Sequence, residues 1–194
     1  MRGQARRETF AERRLRRGAV DDPEVVLEAA ARFLEARARS VAEVRRRLGS
    51  AGYRTELVEG AIARLVDLGV LDDAVFARAW IESRDRARPR GERALTEELR
   101  LRGVDREVIA TALEERRQRA TEATAAEEPA VTADQAAAER LIGKSRRTLE
   151  RIVDPRARRQ RAYALLARSG FPPDVCARVA AAATRSDEEL EEPE

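Results

Sequence analysis

Apolar positions along the chain fall into stripes of helical period separated by short polar breaks, and one kind of break occurs three times. Leu48 to Tyr53, Leu99 to Val104 and Leu166 to Phe171 each read Leu, three residues, Gly and then an apolar residue. Beyond the Gly the apolar positions also repeat at equal offsets: Leu57, Val58, Ala61 and Ile62; Val108, Ile109, Ala112 and Leu113; Val175, Cys176, Val179 and Ala180. That spacing lays one buried face along a helix. Gly52, Gly103 and Gly170 fit helix C-termini, where a left-handed residue costs least without a Cβ and the next apolar residue closes the turn. The pattern therefore predicts helix, Gly turn, helix, three times over. The second interval between these glycines is longer than the first, which suits an inserted linker. Units this small cannot each bury a full core, so neighbours must share one.

Capping signals set the boundaries. Residues 22–70 make a first unit, with a helix from about Pro23 to Ala38, a second opened by the Ser40–Glu43 capping-box pattern, and a third capped at Thr55. Residues 71–119 make a second unit, opened by Asp72 and Asp73, carrying Phe76 and Trp80, then Leu95 and Leu99, then a helix capped at Asp105. Residues 134–185 make a third, with helices expected near Asp134 to Ile152, Arg156 to Ser169 and Asp174 to Thr184. Between them, residues 120–133 contain no basic residue and read as a low-complexity linker. Residues 1–21 read as a basic disordered arm, and residues 186–194 as an acidic disordered tail.

Composition changes this picture little. The 194 residues are 39% charged and only 4% aromatic, which argues for an all-α, elongated array of small bundles over one large core. No strand is expected. There is no His and one Cys, which excludes an internal disulfide and His-based catalysis and argues against a zinc site. No stretch approaches the roughly 20 apolar residues of a membrane span, so the expectation is a cytoplasmic protein without membrane contact, metal or cofactor. The net charge is +3, but arginines crowd residues 1–17 and 140–161 while the last eight residues are acidic.

The order of residues from Gly69 to Ala112 resembles the RecX-type regulatory proteins of bacterial recombination. The likeness lies in the run LDDAVFARAW, a basic loop with Gly91, a helix ending Glu-Glu-Leu, and Gly103 with an apolar residue after it. SVAEVRRRLGSAGY and RAYALLARSGF resemble the flanking repeats, so the likeness covers about residues 23–184. It departs at Arg90-Gly91-Glu92, where two charged residues separate the Gly from Ala94. The resemblance implies three tandem three-helix repeats in a curved array. It also implies a monomeric partner of the RecA recombinase, bound in the groove of its filament on single-stranded DNA. The consequences would be lower ATP hydrolysis, coprotease action and strand exchange, within DNA repair, recombination and the SOS response.

The residues themselves offer no catalytic constellation. Asp72 and Asp73 read as a cap and a helix-dipole partner, and Phe76 and Trp80, one turn apart, as core. Gly143-Lys144-Ser145 imitates the end of a phosphate loop, but Ala138 stands where the first Gly is required. Two arginine groups are the candidate binding residues for a filament or for DNA. The first is Arg84, Arg90, Arg93, Arg100 and Arg102; the second is Arg147, Arg151, Arg158, Arg159 and Arg161, with Arg146 and Arg156 beside it. The alternative function is a helical nucleic-acid binder acting through non-specific phosphate contacts. Sequence-specific reading is disfavoured because the chain contains no Asn and its helices do not open with base-reading residues.

Overall fold

The computed structural model describes residues 8–123 and 131–188, with side chains through residue 183. Among the described residues there are ten helices and no strand. They are α1 (Phe10–Gly18), α2 (Pro23–Glu35), α3 (Val41–Ala51), α4 (Thr55–Asp67), α5 (Asp73–Ala87), α6 (Glu92–Leu101), α7 (Arg106–Ala123), α8 (Ala133–Leu149), α9 (Pro155–Arg168) and α10 (Pro173–Glu188). After α1 they follow the three repeats, α2–α4, α5–α7 and α8–α10. Gly52, Gly103 and Gly170 have φ of 104°, 77° and 84°, so all three turns use the left-handed residue that the sequence requires.

The helices divide between two compact units, Met1–Phe76 with Arg102–Asp105, and Ala77–Leu101 with Arg106–Glu194. In the first unit, Val26, Ala30, Val44, Leu48, Val58, Ile62 and Leu65 form one core, and Leu71 joins it. In the second, Ala137, Ala138, Leu166, Phe171, Val175, Cys176 and Val179 form another. Ile81, Leu95, Leu99, Ile109 and Leu113 are also buried.

Each unit contains the same joint. In the first, Ser40 Oγ donates to the carbonyl of Arg102 at 2.6 Å, and the Val41 N–H donates to Asp73 at 2.9 Å. In the second, the Gly91 N–H donates to the carbonyl of Ser169 at 3.0 Å, and the Glu92 N–H donates to both oxygens of Asp134 at 3.2 Å. Ser40 and Gly91 are equivalent N-cap positions, and Arg102 and Ser169 each precede a Gly turn. The middle helix of one repeat is thus capped by an Asp from the first helix of the next, which satisfies a donor that the helix cannot satisfy itself. Glycine permits the approach: a Cβ on Gly103 would lie 2.4 Å from that of Ala42, and one on Gly170 would lie 2.5 Å from that of Ala94. α9 differs. Pro155 at its first position has no N–H to donate, and its own Asp154 accepts from Arg156 and Ala157 at 3.1 and 3.2 Å.

Several boundaries differ from the sequence expectation. Residues 10–18, expected in a disordered arm, form α1; Thr9 and Glu12 close a capping box there, Arg14 packs on the side-chain-free Gly52, and Arg17 lies over the Tyr53 ring at 5.7 Å. Backbone proximity at a glycine therefore replaces the missing apolar face. α2 stops at Glu35, because Arg37 turns to bond Glu43 at 3.1 Å. Arg54, not Thr55, is the N-cap of α4, and its side chain pairs with Asp21 and makes no capping bond to the helix. α7 extends into the expected linker as far as Ala123, and Thr132 caps α8, leaving residues 124–130 outside the described residues. α10 carries its alanine run on to Glu188, past the expected start of the tail, and residues 189–194 lie outside the described residues.

Candidate partner-binding surface

The first arginine group is largely committed to internal bonds. Glu98 of α6 accepts from Arg84 Nε at 2.6 Å and from the Trp80 indole N–H at 2.9 Å, and it pairs with Arg90 at 3.6 Å. The Arg84 guanidinium also covers the Trp80 ring at 4.4 Å. Trp80 is thus only half-buried, with its polar edge in an ion-pair network, while Phe76 is core as expected. In the first unit, Arg102 pairs with the buried Glu43 at 3.4 Å. Burial pushes the Glu43 carboxyl up, but bonds from Arg37 and the Ser40 N–H, with the charges of Arg37 and Arg102, hold it below the usual range. Only Arg93 and Arg100 of this group are exposed. Arg100 borders a groove of about 440 Å³ between α6 and α7, with Arg106 and Arg117 on its rim and Ile109 and Leu113 in its floor.

Because the chain has one tryptophan, this network can be read directly. Glu98→Ala should move the Trp80 emission to longer wavelength and cost about 1–2 kcal/mol, since it leaves the indole N–H and two guanidinium groups without their acceptor. An unchanged spectrum would show that Glu98 does not set the indole environment.

The second group is different. Arg147, Arg151, Arg156, Arg159 and Arg161 are exposed around the end of α8 and the start of α9, with no ion pair among the described residues. Arg158 is instead a staple: its Nε donates to the Ile152 carbonyl at 3.0 Å and fixes the turn between the two helices. Arg146 is paired with Glu150. Lys144, from the phosphate-loop look-alike, sits within α8 and donates to the carbonyls of Arg86 and Ala87 at 2.6 and 3.3 Å, covering the C-terminus of α5.

The most heavily used guanidinium belongs to Arg116 of α7, a residue that the sequence pattern did not mark. Only 4% of its side chain is exposed. It makes two parallel 3.0 Å bonds to Asp85 of α5 and a 2.7 Å bond to Asp134 of α8, and it reaches the carbonyls of Arg90 and Ala133. Burial works against its charge, but the two carboxylates outweigh it and hold the guanidinium above its usual pKa. Burial also pushes the Asp134 carboxyl up, against the pull of Arg116. The same Asp134 caps α6, so one buried network ties α5, α6, α7 and α8 together. The described residues contain no group of acids, His or Cys placed to hold a metal ion, and no helix long and apolar enough to cross a membrane.

Two family models match the chain: the first three-helix domain of RecX over residues 27–65 and the second three-helix domain of RecX over residues 72–113. The chain belongs to the RecX family. Proteins named Regulatory protein RecX from Mycobacterium sp. (strain KMS) and Mycobacterium avium (strain 104) are 46% and 42% identical over 82 residues. That match spans 42% of this chain and 45% and 47% of those relatives, so the chain spans about half the length of the curated relatives it matches. The crystal structure of RecX from Lactobacillus salivarius covers 88% of this chain and 98% of its own, with a TM-score of 0.60 at 19% identity. Another, of regulatory protein RecX, gives 0.61 at 18% and covers 72% of its own chain. At that identity the likeness is one of fold alone. The RecX models end before α8, so the unpaired arginines of α8 and α9 lie outside both matched segments, while the Glu98 network lies inside one.

Proposed function

We propose that this RecX protein regulates the RecA recombinase by docking on its filament on single-stranded DNA. Bound there, it limits filament growth and lowers ATP hydrolysis, coprotease action and strand exchange. The observation that carries this reading is the pair of RecX domain matches in order along one chain, together with relatives named as regulatory proteins. The geometry is consistent with binding rather than chemistry. Its buried charged residues are consumed in helix caps and ion pairs, and the ion-pair-free arginines around the end of α8 and the start of α9 are exposed. Several moderate contacts to a repeating partner raise avidity without any deep site.

The test is DNA-dependent ATP hydrolysis by the cognate RecA with substoichiometric RecX, beside binding of RecX to bare single-stranded DNA. The expected result is loss of hydrolysis at concentrations where free DNA is barely bound. Loss only when RecX saturates the DNA would favour the nucleic-acid binder instead, which the same exposed arginines could support through phosphate contacts.

A further inference from the structure

We propose that the turn between α8 and α9 is the chain's docking point on an acidic protein surface, with Val153 as the apolar anchor and Arg151 and Arg156 as its charged flanks. This rests on the regulatory reading above and names the part of the molecule that performs it. Val153 is 87% exposed, the most exposed of the large apolar side chains among the described residues. The exposure is built in. The Ile152 N–H donates to the Leu149 carbonyl at 3.0 Å, Arg158 binds the Ile152 carbonyl, and Asp154 caps α9 on the far side. A turn held by bonds on both sides of one valine presents that side chain without an ordering cost on binding.

The surroundings select the occupant. Arg147, Arg151 and Arg156 lie near Val153 in sequence with no carboxylate partner among the described residues, whereas Arg84, Arg90, Arg102 and Arg116 all have one. One turn apart along α9, Arg156, Arg159 and the 39% exposed Tyr163 continue the same stripe. An aliphatic anchor ringed by arginines matches a shallow apolar pocket edged by Asp or Glu; of the residues in this stripe the arginines and Tyr163 are of the types enriched at interface hot spots, and the valine supplies the apolar contact between them. A polynucleotide fits less well, because its charged phosphate backbone offers no apolar pocket for a valine that is exposed to this degree.

The experiment uses the full chain and cognate RecA filaments on immobilised oligo(dT). Val153→Asp and the double change Arg151→Glu with Arg156→Glu are each compared with wild type for filament binding, ATPase inhibition and affinity for bare oligo(dT). Both variants should bind the filament at least tenfold more weakly, with unchanged helix content and melting temperature, and Val153→Ile should restore binding. The Val153→Asp protein should keep its affinity for bare oligo(dT). Wild-type binding by Val153→Asp overturns the docking point and leaves the regulatory reading standing. Loss confined to the arginine variant, in proportion to its loss on bare DNA, makes this a nucleic-acid surface and also overturns it. A wild-type chain that never engages the filament overturns both proposals together.

Discussion

Arg116→Ala should lower the unfolding free energy by about 3–5 kcal/mol, read from urea or thermal melts, because it strips two carboxylates of a partner inside the second unit. Arg116 is 4% exposed and Asp85 and Asp134 are 21% and 12% exposed, so water cannot replace the guanidinium. The loss is the cost of an uncompensated buried charge, not the net worth of the ion pairs, which desolvation offsets. Arg116→Met combined with Asp85→Asn and Asp134→Asn should therefore recover much of the deficit. The sign of the pH dependence follows from Asp134. Its folded-state pKa is already raised by burial, and without Arg116 it rises further. A raised carboxyl adds stability below its unfolded pKa and loses it as pH rises through the folded value, so the Arg116→Ala deficit should shrink on acidification. A cost under about 1 kcal/mol, typical of exposed pairs, would show that the network is not buried in solution.

The part of this architecture legible in the sequence is the part governed by local rules. The Gly turns, the Ser40–Glu43 capping box, the Asp72 cap on Ala74 and Val75 and the buried stripes all depend on residues within a turn or two of each other. Asp73 shows where local reading stops. It sits at the start of α5 as a helix-dipole residue should, but its bond goes to the N–H of Val41, in the preceding repeat. Asp134 repeats that role for Glu92, yet the insertion before the third repeat puts it at a different distance from its Gly turn, which hides the equivalence. Arg116 is passed over for a related reason: it continues the buried stripe of Ile109, Ala112 and Leu113 at helical spacing, but a charged residue in Glu114-Glu115-Arg116-Arg117 reads as solvated until its carboxylate partners are known. Those partners, Asp85 and Asp134, come from other helices. The arginine groups divided along the same line. Density along the chain located both, but the pairing of Arg84, Arg90 and Arg102 with Glu98 and Glu43 depends on tertiary contacts. The basic arm misled because packing on a glycine leaves no apolar signature.

Three glycine substitutions separate what the recurrent joint contributes from what the left-handed turn contributes. Gly69 has φ of 67° and open space where a Cβ would go, so Gly69→Ala pays conformational strain alone, about 1–2 kcal/mol. Gly91 has no left-handed strain, but a Cβ there would lie 2.2 Å from the carbonyl oxygen of Gly170 and 2.6 Å from the Phe171 nitrogen. Gly91→Ala must therefore push two backbone segments apart, at about 1–3 kcal/mol. Gly170 combines both effects: φ is 84°, and a Cβ would lie 2.5 Å from the Ala94 Cβ and 2.7 Å from its nitrogen. Gly170→Ala should be the most damaging, at about 3–5 kcal/mol, with amide exchange accelerated at Gly91 and Glu92, whose N–H groups the joint holds. Because Gly91 and Gly170 meet, their double substitution should cost less than the sum of the two, the second Cβ entering a gap that the first has already opened. If Gly170→Ala instead matches Gly69→Ala, the close approach to Ala94 relaxes freely and the Asp134 cap and Arg116 network hold the joint without it.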